Sequence, residues 1–167
     1  MGATKENLGF AFAGESQASR KYTYFAEKAD QEGLKRVARL FRAAAEAETV
    51  HARNHLKVMQ GIKSTKENLE AAIGGENHEF TEMYPEFIKT ANTEGEKKAA
   101  DSFDLANKVE KIHYDLYRDA VGKLGKGDST ELKPFYVCQF CGNTVEGEAP
   151  DKCPICGMSK KMFKLVE

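Results

Sequence analysis

Glu48-Thr49-Val50-His51 and Glu110-Lys111-Ile112-His113 are both Glu-x-x-His. On a helix, residues i and i+3 share one face about a turn apart. Each pair can therefore offer a carboxylate and an imidazole to one metal, or bridge to a second. One such pair arises by chance in many helices. Two carry more weight, because each follows a Glu at a matching distance. Gly14-Glu15 lies 33 residues before Glu48, and Gly75-Glu76 lies 34 before Glu110. The two halves read as copies of one αα-hairpin, and a site built from both would have approximate two-fold symmetry.

The surrounding sequence supports helices. From Thr4 to about Gly125 the good helix formers Ala, Glu, Lys, Leu and Arg dominate, and Pro85 is the one proline. Periodicity and end signals predict a first helix from about Lys5 to Asp30, stopping near Gly33, and a second from about Leu34 to Gln60, ending at Gly61. A Ser64/Glu67 capping box opens a short turn of helix around Lys66 to Ile73. A third helix is expected from about Gly75 to Ala91, kinked where Pro85 meets the carbonyl of Thr81. A fourth is expected from Thr93, opened by a Thr93/Glu96 capping box, to about Lys123.

The inward stripe of each predicted helix is apolar with one acidic interruption. On the second helix it runs Val37, Phe41, Ala44, Glu48, His51, His55, Val58, Ile62. The other helices place Glu15, Glu76 and Glu110 on their stripes, with His113 one turn after Glu110. Glu79, one turn after Glu76, adds a fifth acid where the first half has Ala18. A lone Glu on such a stripe usually sits near a helix end or snorkels to water. When all four helices carry one, the carboxylates need positive charge among them, because each costs several kcal/mol uncompensated. No Lys or Arg shares those stripes at those heights, so metal cations are the simplest compensation. Two Glu-x-x-His helices plus a Glu from each of two others is the donor set of a di-metal carboxylate site in a four-helix bundle. Five carboxylates and two imidazoles suit Fe or Mn better than zinc, and leave positions for a small exogenous molecule. Tyr22 and Tyr84, about two turns after Glu15 and Glu76, are candidates to hydrogen-bond the ligand carboxylates, or simply bundle filler. His55 lacks a partner Glu, and His78 is expected to point away from Glu76.

Composition excludes other classes. The 167 residues are 41% apolar and 31% charged, and 25 basic against 26 acidic residues leave no surplus to hold a phosphate backbone. Nucleic acid is not an expected partner. The longest apolar stretches, such as Leu8 to Ala13, fall far short of the roughly 20 residues of a membrane helix. No basic segment leads into an apolar one at the N-terminus, so a secretory signal is not expected.

All four cysteines lie near the C-terminus. Cys138-Gln139-Phe140-Cys141-Gly142 and Cys153-Pro154-Ile155-Cys156-Gly157 are two C-x-x-C-G knuckles separated by eleven residues. In each, the Gly permits unusual backbone angles and the N–H groups can face the sulfurs. Four thiolates suit tetrahedral Fe or Zn, and a disulfide pair is the rival. A module of about 35 residues is too small for its own core without a metal. The expected organisation is a four-helix bundle over residues 1–127 and a small β/loop module over 133–167, with the boundary between Gly127 and Pro134.

Taken together, the chain resembles rubrerythrin along nearly its full length. The resemblance rests on Ala13-Gly14-Glu15-Ser16-Gln17-Ala18, both Glu-x-x-His pairs, Gly75-Glu76-Asn77-His78-Glu79 with Met83-Tyr84-Pro85, and the two closely spaced knuckles. It implies a ferritin-like bundle with two non-haem irons, followed by a rubredoxin-like domain with one iron on four thiolates. Glu15, Glu48, Glu76, Glu79, Glu110 and His113 would be the di-iron ligands, with His51 alternating with Glu79 as one iron changes redox state. Cys138, Cys141, Cys153 and Cys156 would hold the third iron. The implied activity is reduction of hydrogen peroxide to water in oxidative-stress defence, with Glu79 and His51 in catalytic roles. Electrons would come from a rubredoxin or a separate NAD(P)H-dependent reductase. The implied assembly is a homodimer in which the thiolate-bound iron of one chain serves the di-iron site of the other. Some relatives exchange helix pairs between chains, and the Gly61 to Gly75 connection is the candidate hinge. A ferroxidase or iron-sequestering bundle is the alternative, which the cysteine module disfavours. A third reading, structural zinc in both sites, is disfavoured by the five acids.

Overall fold

A computed structural model describes residues 2–124 and 133–166. Its first helix, α1, spans Ala3–Gln31, and α2 spans Lys35–Val58. Between them Gly33 takes φ 77°, and the Leu34 N–H reaches back to the carbonyl of Ala29 at 2.8 Å. This left-handed cap closes the end of α1 and turns the chain sharply. The seam of the hairpin is made of small residues: Ser19, Ala26 and Ala29 on α1, and Ala38, Ala45 and Ala52 on α2. Small side chains let two long helices approach closely. Ser19 Oγ and Thr49 Oγ1 are 2.9 Å apart across it. Near its closed end, Arg42 and Lys35 donate to Asp30 at 2.7 and 3.2 Å and hold its carboxyl below the usual carboxylate range.

The seam corrects the expected stripe on α2. Periodicity predicts Val37, Val58 and Ile62 facing inward, yet all three are exposed. Ala38, Ala45 and Ala52, each one residue after the expected Val37, Ala44 and His51, take the seam. The large apolar residues lie off it and are left without cover, as are Phe10 and Leu40.

The second hairpin repeats the first. Helix α4 spans Tyr84–Glu94 and α5 spans Lys97–Lys123. Gly95 takes φ 75° and the Glu96 N–H bonds the Ala91 carbonyl at 2.8 Å, 62 residues on from the same cap in the first hairpin. The aromatic clusters beneath also correspond. Tyr22, Phe25 and Phe41 have centroid separations of 6.2, 6.2 and 5.5 Å, and Tyr84, Phe87 and Phe103 have the same three values.

One feature breaks the repeat. Helix α3 spans Thr65–His78, and Glu79–Met83 then form a π-helical turn before α4. Glu15 and Glu76 are 61 residues apart, whereas Tyr22 and Tyr84 are 62 apart. The second half therefore holds one extra residue between these landmarks. A π turn absorbs an inserted residue without rotating the helix that follows. This also corrects the expected kink. Pro85 falls at the start of α4, after a turn in which the Tyr84 N–H bonds the Glu79 carbonyl.

Two other boundaries differ from expectation. The Ser64/Glu67 capping box forms, but the helix it opens runs on through Gly74 and Gly75 without a break. The Thr93/Glu96 box does not form. Thr93 Oγ1 donates to the Lys89 carbonyl inside α4, and Gly95 ends that helix. After α2 the left-handed residue is Gln60, at φ 57°, rather than Gly61.

Among the described residues, no helix is long and apolar enough to cross a membrane. The expected boundary between Gly127 and Pro134 lies largely outside the described residues. Beyond it, strands β1 (Phe135–Cys138), β2 (Thr144–Glu146) and β3 (Phe163–Val166) form an antiparallel sheet in the order β2-β1-β3. The chain forms two compact units, Met1–Lys63 and Ser64–Glu167. The first is the α1–α2 hairpin. In the second, α3 and α4 pack on α5, and β2 comes against α5.

Candidate metal centres

Each compact unit gathers one half of the expected donor set. In the first unit Glu15, Glu48 and His51 bring their donor atoms within 4.8 Å of one another. His51 Nδ1 lies 2.8 Å from Glu48 Oε2 and 3.9 Å from Glu15 Oε1. In the second unit Glu76, Glu110 and His113 do the same, with His113 Nδ1 2.8 Å from Glu110 Oε2 and 3.9 Å from Glu76 Oε2. The equal distances follow from the repeat: the same i, i+3 pair on one helix faces the same Glu on its neighbour.

The two triads differ in surroundings. His51 is half exposed (54% of its side chain), whereas His113 is at 27%. Burial and the neighbouring Glu110 carboxylate push Glu76 up to about 7. Glu79, on the π turn, is outside the triad. Its carboxyl is nonetheless raised, first by burial and then by Glu110. Tyr84 is raised by burial and by the fields of Glu110, Glu79 and Glu76, which places it in this acidic neighbourhood. Tyr22 belongs to the aromatic cluster of the first hairpin. His78 Nδ1 pairs with Glu82 at 3.4 Å, away from the triad.

His113 has a further partner that the sequence did not suggest. Its Nε2 lies 2.9 Å from Thr144 Oγ1 on β2. Thr144 spends its one hydroxyl proton on the Gly142 carbonyl at 3.1 Å. Thr144 must then accept from His113 Nε2–H, which turns Nδ1 toward the carboxylates. Either a proton or a cation has to sit between Nδ1 and Glu110 Oε2, because both would otherwise present lone pairs. Accordingly the hydrogen bond to Glu110 raises the imidazole above its ordinary value. That position, faced by one nitrogen and two carboxylates, fits a hard-to-borderline divalent metal.

The four cysteines meet as expected. Cys138 and Cys156 sulfurs are 3.7 Å apart, Cys141 and Cys153 3.6 Å, and all four lie within 4.8 Å. Gly142 and Gly157 take φ 83° and 76°, so each knuckle turns where the sequence has glycine. Burial opposes ionisation of Cys153, but the N–H groups of Cys156 and Ile155 outweigh it and bring the thiol down to about 7. Burial pushes Cys141 strongly up. Four sulfurs this close cannot all be anionic without a cation among them, and their spacing fits one tetrahedral ion. Asn143, 1% exposed, aims its amide at Cys153 Sγ over 3.6 Å. Nothing in a C-x-x-C-G motif announces that residue.

Comparison with known proteins agrees with these centres. The Rubrerythrin family profile matches residues 6–121, and the profile of the rubredoxin-like domain of rubrerythrin matches residues 136–164. Rubrerythrin-2 of Clostridium acetobutylicum is 34% identical over 96% of this chain and 95% of its own. Rubrerythrin of Porphyromonas gingivalis is 36% identical over 96% and 88%. Nigerythrin, solved in a mixed-valence state, superimposes with a TM-score of 0.57 at 35% identity over 99% of this chain and 88% of that one. Another nigerythrin structure is described as fully reduced, all ferrous. The residues of a di-iron carboxylate site and of a four-cysteine iron site are both present, on a ferritin-like helical domain followed by a small rubredoxin-like one. The chain belongs to the rubrerythrin family.

Proposed function

We propose that this protein is a peroxide-reducing oxidoreductase. In this reading residues 1–127 form a ferritin-like domain that binds two irons, and residues 133–167 form the electron-transfer domain. Glu15, Glu48, Glu76, Glu79, Glu110 and His113 are the di-iron ligands, and His51 and Glu79 alternate on one iron. Cys138, Cys141, Cys153 and Cys156 hold the third. The observation that carries the reading is the coexistence of two matched Glu/His triads with a four-sulfur site whose strand β2 abuts the helix bearing His113. A storage protein has no need of a one-electron site there.

When bound, the iron pair supplies the two electrons that, with two protons, convert hydrogen peroxide to two waters. The chain's own groups handle the protons and the charge. Glu79, raised above the ordinary carboxylate range by burial and by Glu110, is suited to hold a proton and release it to a departing oxygen. His51, half exposed and bonded to Glu48, is free to move in and out as Glu79 leaves. Tyr84 feels the fields of the Glu110, Glu79 and Glu76 carboxylates and is placed to serve them, whereas Tyr22 packs in the aromatic cluster of the first hairpin. A rubredoxin or an NAD(P)H-dependent reductase returns electrons through the cysteine domain. Four cysteines kept out of disulfides for a metal call for a reducing compartment, which supports a cytoplasmic location. The exposed Phe10, Leu40, Val58 and Phe87 support association into a homodimer.

Stopped-flow oxidation of the anaerobically reduced protein, by hydrogen peroxide and by dioxygen in parallel, tests the activity. Peroxide should oxidise it orders of magnitude faster, with stoichiometric loss of peroxide and no ferric mineral formed. Faster reaction with dioxygen and growth of a mineral core would instead make it a ferroxidase.

A further inference from the structure

We propose that Thr144 is a positioning residue that sets which nitrogen His113 offers to a metal, and so ties the cysteine domain to the second triad. The inference rests on the di-metal reading above and deepens it.

The hydrogen bonds run in one direction. His113 Nε2–H donates to Thr144 Oγ1 at 2.9 Å, and Thr144 Oγ1–H donates to the Gly142 carbonyl at 3.1 Å. Gly142 follows Cys141 and in turn donates its N–H to the Cys138 carbonyl at 2.8 Å. The acceptor at the far end is therefore backbone held rigid by the knuckle itself. Nearby, Val109, 1% exposed and adjacent to Glu110, approaches Gly142 with Cγ1 3.8 Å from where a Cβ would stand. The two domains thus touch at a polar and an apolar point on consecutive turns of α5. A histidine whose remote nitrogen is fixed by a hydrogen bond binds metal in one tautomer and one ring orientation, and loss of such a partner weakens affinity about 10- to 100-fold.

The triads are then unequal by construction. Among the described residues, His51 Nε2 has no hydrogen-bond partner corresponding to Thr144. His113 is pinned by this bond and His51 is not. Formation of the knuckle fixes the Gly142 carbonyl, so loading of the four-sulfur site should precede and strengthen metal binding at His113.

The test uses full-length protein carrying iron at the cysteines. Thr144→Val removes the hydroxyl but keeps the shape and suits a strand as well as Thr does; Thr144→Ser restores the hydroxyl. Anaerobic ferrous titration should show affinity at the triads falling about 10-fold or more in Thr144→Val and recovering in Thr144→Ser. In a separate preparation with zinc replacing iron at every site, the cysteines included, the His113 Nε2–H proton should give a slowly exchanging resonance in wild type and Thr144→Ser that is lost in Thr144→Val. The ferric-thiolate absorption of each variant reports that the domain has folded. Wild-type affinity and an unchanged resonance in Thr144→Val would overturn this inference alone. Ferrous ion binding only at the cysteines of the wild-type chain would overturn the di-metal reading and this inference with it.

Discussion

Glu110 Oε2 and His113 Nδ1 are 2.8 Å apart on one face of α5, close enough that a proton must occupy the gap when no metal does. That proton and the one on Glu76 give the metal-free protein a defined pH dependence. Glu76 keeps its proton to about pH 7 when folded but only to its ordinary 4.5 when unfolded. Across that window the folded chain binds more protons, so stability falls as pH rises. His113 acts in the same sense: its raised folded value adds stability that is full below 6.5 and is lost as pH climbs through that value. Thermal melts of metal-free protein should show a falling Tm from about pH 5 to 7.5. Glu76→Gln should flatten the lower part of the slope, and metal loading should abolish it. A metal-free protein whose Tm is flat over that range would refute the electrostatic account.

Glu79 sits where a π turn replaces a turn of α-helix. Glu79→Ala should leave helix content unchanged by circular dichroism, since Ala is the better helix former. Peroxide turnover should fall about 10²-fold or more, the scale of losing a positioned proton donor. Turnover within two-fold of wild type would remove Glu79 from the mechanism.

Asn143 is buried and aimed at Cys153 Sγ. Asn143→Leu should cost about 1–2 kcal/mol by leaving buried partners unmatched. Loss of an N–H···S bond should also lower the reduction potential of the thiolate-bound iron, because such bonds stabilise the reduced, more negative centre. Potentiometry on the ferric-thiolate absorption reads the shift. An unchanged potential would make Asn143 a packing residue only.

Gly33 and Gly95 occupy the same left-handed cap 62 residues apart, and a Cβ at either would meet nothing within 4 Å. The cost of alanine is therefore backbone strain alone. Gly33→Ala and Gly95→Ala should each destabilise by about 1 kcal/mol, and by similar amounts, in chemical denaturation. Widely different values would show that the two hairpins are not energetic copies.

What the sequence made legible was chemistry at fixed spacing. Glu48/His51 and Glu110/His113 sit three residues apart, so any helix through them gives the observed pairs. The knuckles and their glycines are equally local. The misreadings arise where a choice depends on what packs alongside. Val37 and Ala38 both satisfy a helical period, and only the close approach of α1 decides that Ala38 takes the seam. Gly74-Gly75 looks like a break, yet neighbouring helices hold it helical. The π turn was written in the one-residue difference between the Glu15–Tyr22 and Glu76–Tyr84 spacings, but a single added residue also fits a kink at Pro85. Thr144 and Asn143 were out of reach, because their partners lie far away in sequence or in a sulfur cluster that defines its own neighbours.

The central claim is that the two triads join in holding one pair of irons beside a separate thiolate-bound iron. Mössbauer spectroscopy of protein grown on ⁵⁷Fe and isolated in air reads this directly. The account predicts that two of every three irons form a spin-coupled, diamagnetic diferric pair, and that the third is high-spin ferric on four sulfurs. Thiolate-bound iron accompanied only by uncoupled single ferric ions, or by none, would contradict it.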